Sequence, residues 1–62
     1  MDMKEKRKQL RERYVLALIE ATFPLQKGAQ DPEVTLEELI EAADVLKQHL
    51  QRELQELRQE QD

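Results

Sequence analysis

Apolar residues fall along this chain in two periodic runs, separated by a break that holds every proline and its one glycine. In the second run Leu36, Leu39, Ala43, Leu46, Leu50, Leu54 and Leu57 recur at spacings of three or four. At about 100° per residue these seven and Ile40 share an arc of about 120°, one face of an amphipathic helix. No proline or glycine follows Pro32. The pattern predicts a helix over about 35–59. Thr35-Leu-Glu-Glu38 fits a capping box, with Val34 and Leu39 placed for a hydrophobic staple. Glu37, Glu38 and Glu41 also suit the positive end of the helix dipole.

The first run predicts a helix over about 3–22, opened by Asp2-Met-Lys-Glu5, a weaker capping box. Met3, Leu10, Tyr14, Ala17, Leu18 and Ala21 form one stripe about 100° wide. Val15, Leu16, Ile19 and Phe23 add a second side. Pro24 disfavours the helical conformation at Phe23 and lacks an amide hydrogen, so the helix is expected to stop near Thr22–Phe23. The break, 23–34, reads as a connector with turns at Gly28 and Asp31-Pro32.

A helix that is apolar nearly all round must be covered all round. A single neighbouring helix covers one side of YVLALIEATF, and the rest needs the connector, another copy or a foreign protein. A chain of 62 residues also buries too little surface to be more than marginally stable by itself. The expected fold is therefore all-α: an antiparallel two-helix hairpin, 1–62 as one domain, dimerising into a four-helix bundle. Tyr14, Val15, Leu16, Ile19 and Phe23 are the expected self-association residues.

Composition then narrows the chemistry. There is no Cys, which excludes a disulfide framework, a cysteine-ligated metal and a thiol nucleophile. There is no Ser either, and Thr22 and Thr35 are the only aliphatic hydroxyls, so acyl-transfer machinery lacks its parts. No glycine-rich loop can cradle a phosphate. No apolar run approaches the roughly 18–20 residues of a membrane span, and no signal-peptide core follows the basic start. A non-enzymatic protein without cofactor or metal, placed in the cytoplasm and off the membrane, is the expectation. Small size and acidity would also suit a phage or plasmid product.

Carboxylates concentrate early in the second helix. Glu37-Glu38-x-x-Glu41 running into Asp44 resembles the E-E-x-x-E and E-x-x-D elements by which all-helical pyrophosphohydrolases of the MazG type hold magnesium. In that family the two elements stand on separate helices, whereas here they overlap on one. The expectation is instead a solvated acidic face, with Glu37, Glu41 and Asp44 available to a protein partner. His49, the sole histidine, lies at the edge of the apolar stripe within reach of Glu53 and is expected to have no special role.

Charge is uneven along the chain. Residues 1–14 carry six cations against three acids, net +3, and the remaining residues four against eleven, net −7, giving the overall −4. Lys4, Arg7, Lys8 and Arg11 cluster within an arc of about 100°. Doubled in a dimer, they would make a phosphate-contacting patch, so the alternative expectation is a nucleic-acid-binding regulator. The primary expectation is a cytosolic adaptor, inhibitor or regulatory subunit, acting through helix surfaces on itself and on an unidentified protein.

Overall fold

The computed structural model describes residues 2–61, and all regular structure among them is helical. Two helices follow one another, α1 (Met3–Lys27) and α2 (Pro32–Glu60), and each forms a compact unit of its own.

α1 begins where the sequence places it. Asp2 is extended and its side chain accepts from the Lys4 amide at 3.2 Å, while its carbonyl takes the Lys6 amide at 3.1 Å. These bonds satisfy amides that the first turn of a helix leaves without partners.

Its end does not fall where Pro24 suggested. The helix runs through Phe23 and Pro24 to Lys27, five residues beyond the expected stop at about residue 22. Pro24 has no amide hydrogen for the Glu20 carbonyl, so one helical bond is missing. Around that gap the Thr22 hydroxyl donates to the Ile19 carbonyl at 3.1 Å, and the Gln26 side-chain amide donates to Thr22 Oγ1 at 3.4 Å. The helix then closes through Gly28, whose amide donates to the Pro24 carbonyl at 3.2 Å. Gly28 sits at φ −88° and ψ 4°, a conformation open to any residue.

α2 likewise starts before the expected 35. Pro32 occupies the first turn, where its fixed φ suits a helix and its missing amide hydrogen costs nothing. Asp31, not Thr35, is the N-cap, and its carboxylate accepts from the Val34 amide at 3.2 Å. The expected capping box and staple are therefore replaced, because Thr35 and Val34 lie inside the helix. Together the two extensions shrink the connector from 23–34 to residues 28–31.

Candidate interaction surfaces

α2 gathers its apolar residues on one side. Leu36, Leu46, Leu50, Leu54 and Leu57 are exposed and Leu39 is half-buried. Lys47 interrupts the stripe beside Leu46, and Arg58 borders it near Leu54. Val45, also exposed, stands about 160° from the stripe centre and belongs to the opposite face.

α1 shows no such single face. From Tyr14 to Gln26 its only charge is Glu20, and apolar side chains occupy most directions around the axis. The expected self-association residues Tyr14, Val15, Leu16, Ile19 and Phe23 are all exposed, between 49% and 60%. Extending α1 to Lys27 adds Leu25 to the stripe of Tyr14, Leu18 and Ala21. Leu25 and Val34, read from the sequence as connector residues, are thus helical and exposed. Among the described residues no side chain of either helix is buried. A helix cannot cover its own apolar side, so these surfaces are the chain's largest reserve of contact energy, about 1.5–3 kcal/mol for each large side chain that becomes fully covered.

The acidic residues Glu37, Glu41 and Asp44 lie within an arc of about 60° on α2, and all three are exposed. Gln48 donates to Asp44 Oδ2 at 3.0 Å, tying one of these carboxylates to the next turn. Among the described residues no three His, Asp or Glu side chains are grouped to hold a metal ion. His49 meets Glu53 as its spacing allows, with Nε2 2.9 Å from Oε1, both side chains being 59% exposed.

At the other end of the chain, Lys4, Arg7 and Arg11 border one shallow, open recess on α1 together with Asp2 and Met3. Lys8 stands on the same side but outside that recess. Within α1 none of the four cations is ion-paired, although Lys8 and Glu12 are one turn apart.

Sequence reading missed Thr22, Gln26 and Asp31 as local structure-makers. A signal for Asp31 was present, since Asp before Pro at a helix start is a strong N-cap pattern. The Thr22–Gln26 pair had no comparable signal, because its partners matter only once the helix passes Pro24.

No protein-family model, curated protein or solved structure matches this chain. Its surfaces must be interpreted from their own residues. Among the described residues no helix is long and apolar enough to cross a membrane.

Proposed function

We propose that the chain is a small non-enzymatic interaction protein of the cytosol, an adaptor, inhibitor or regulatory subunit that works as a homo-oligomer. Its two helices fold back as a hairpin, and two hairpins join into a four-helix bundle through Tyr14, Val15, Leu16, Ile19 and Phe23. The outer acidic face of Glu37, Glu41 and Asp44 remains free for another protein. One observation carries this reading: among the described residues every large apolar side chain except the half-buried Leu39 is exposed, from Leu46 at 38% to Met3 at 73%. Soluble monomers rarely expose contiguous apolar surface on that scale. Sedimentation equilibrium at micromolar concentration tests it, with about twice the 7.4 kDa chain mass expected. A folded species at the single-chain mass would overturn the oligomer.

The runner-up is a nucleic-acid-binding regulator. What favours it is the cluster of Lys4, Arg7, Lys8 and Arg11 on one side of α1, which forms no ion pair among the described residues. What weighs against it is the chain's overall charge of −4, which opposes the approach of phosphate.

A further inference from the structure

Reversed about a point between Leu46 and Lys47, six of the eight apolar stripe residues of α2 fall on one another, while Leu46 lands on Lys47 and Ile40 on Glu53. Leu36 lands on Leu57, Leu39 on Leu54 and Ala43 on Leu50. A twofold interface between identical helices needs this property when they run antiparallel, because residue i must meet j while j meets i. A foreign partner imposes no such symmetry on one helix. Ala43 opposite Leu50 also sets a small residue against a large one, which lets the two backbones approach.

Charge separates the two possible directions. Residues 33–44 of α2 carry Glu33, Glu37, Glu38, Glu41 and Asp44 with no cation, whereas in 47–60 Lys47, Arg52 and Arg58 balance Glu53, Glu56 and Glu60. Parallel helices in register would lay five acids against five. Antiparallel helices lay each acidic half against a neutral one. Arg58 and Glu33 also flank the stripe on the same side, within about 20° of each other around the axis. In the antiparallel register Arg58 comes level with Thr35 of the partner subunit, about 3 Å along the axis from its Glu33.

We infer that the α2 stripe is the seat of a second copy of the same helix, antiparallel and centred between Leu46 and Lys47. The inference rests on the homo-oligomer reading and adds to its α1 contacts a second surface, with a direction and a register.

Since the chain has no cysteine of its own, Ala43→Cys and Leu50→Cys chains can be unfolded, mixed in equal amounts and refolded in a glutathione redox buffer. The expected product is the mixed 43–50 disulfide, at least five-fold over either like-with-like disulfide. Dominant like-with-like disulfides would mean parallel helices and overturn the inference. A dimer by sedimentation that forms no disulfide would also overturn it while leaving the oligomer standing. A single-chain mass for the wild type would remove both. Should the cysteine variants lose helicity, a nitroxide on Gln59→Cys reads the direction from the polar face. Two labels separated by roughly 38 Å or more support the antiparallel register, and a separation under roughly 20 Å overturns it.

Discussion

Asp31 holds Thr35 through a single carbonyl oxygen, which accepts the Thr35 amide at 3.0 Å and the Thr35 hydroxyl at 2.8 Å. With the Asp31 carboxylate on the Val34 amide, the first turn of α2 is anchored to one residue outside the helix. Asp31→Ala removes the carboxylate bond and should lower stability by about 1 kcal/mol, the usual loss for an N-cap. Thr35→Ala removes a hydroxyl that only doubles a backbone bond, so its effect should be under about 0.5 kcal/mol. Thermal unfolding of both variants at one fixed protein concentration measures the difference, concentration being held because oligomerisation raises apparent stability. Equal losses would mean that Thr35 takes a larger share of the capping than its geometry gives it.

Gly28 presents the reverse case. A glycine just after a helix usually adopts a left-handed conformation that other residues resist. Here φ is −88°, and a Cβ added at Gly28 would meet the Pro24 carbonyl oxygen at 3.6 Å, an ordinary contact. Gly28→Ala should therefore stabilise the chain by about 0.4–1 kcal/mol, through a less flexible unfolded state. A loss of stability in the same melts would show that the turn needs glycine after all.

These two positions show what the sequence could and could not reveal. Both helices, the apolar stripe of α2 and the Asp2 cap follow from spacing and side-chain type, which act within one turn. The boundaries failed at Pro24 and Pro32, where the same residue has opposite local meanings. Proline inside a helix removes a bond and usually ends it, whereas proline in the first turn removes nothing. Which applies at Pro32 depends on whether Asp31 caps, a local matter. At Pro24 it depends on whether three more residues can close the turn through Gly28, which no periodic pattern encodes. The surfaces were more legible than the boundaries. Tyr14, Val15, Leu16, Ile19 and Phe23 were identified as an apolar excess because one helix face cannot hide residues on all sides.

That excess makes Ile19 the decisive position on α1. In the proposed dimer a carboxylate there would forfeit about 1.5–3 kcal/mol of apolar burial at each copy and add the desolvation of two charges. Ile19→Glu should raise the dimer dissociation constant on the order of a hundred-fold or more and sediment near 7.4 kDa at micromolar concentration, with reduced helicity. Val45→Glu supplies the contrast. Val45 is 65% exposed on the face of α2 away from the leucine stripe, so the same substitution there should leave the mass of the wild type unchanged. Dissociation by both variants would mean that added negative charge alone, on a chain already at −4, drives the copies apart.

Salt decides whether the four cations at the start of α1 serve nucleic acid. If Lys4, Arg7, Lys8 and Arg11 each neutralised one phosphate of a duplex, affinity would fall with a logarithmic slope of about −3.6, roughly a hundred-fold between 50 and 200 mM salt. Two copies acting together would double the slope. An interaction protein that uses these residues only for solubility or ion pairs should show no binding to generic duplex DNA or RNA even at 50 mM salt. That is the outcome the chain's net negative charge favours, and fluorescence anisotropy with labelled duplexes measures it directly. Binding that follows the steep slope and disappears on Arg7→Glu with Arg11→Glu would reverse the order of the two functional readings.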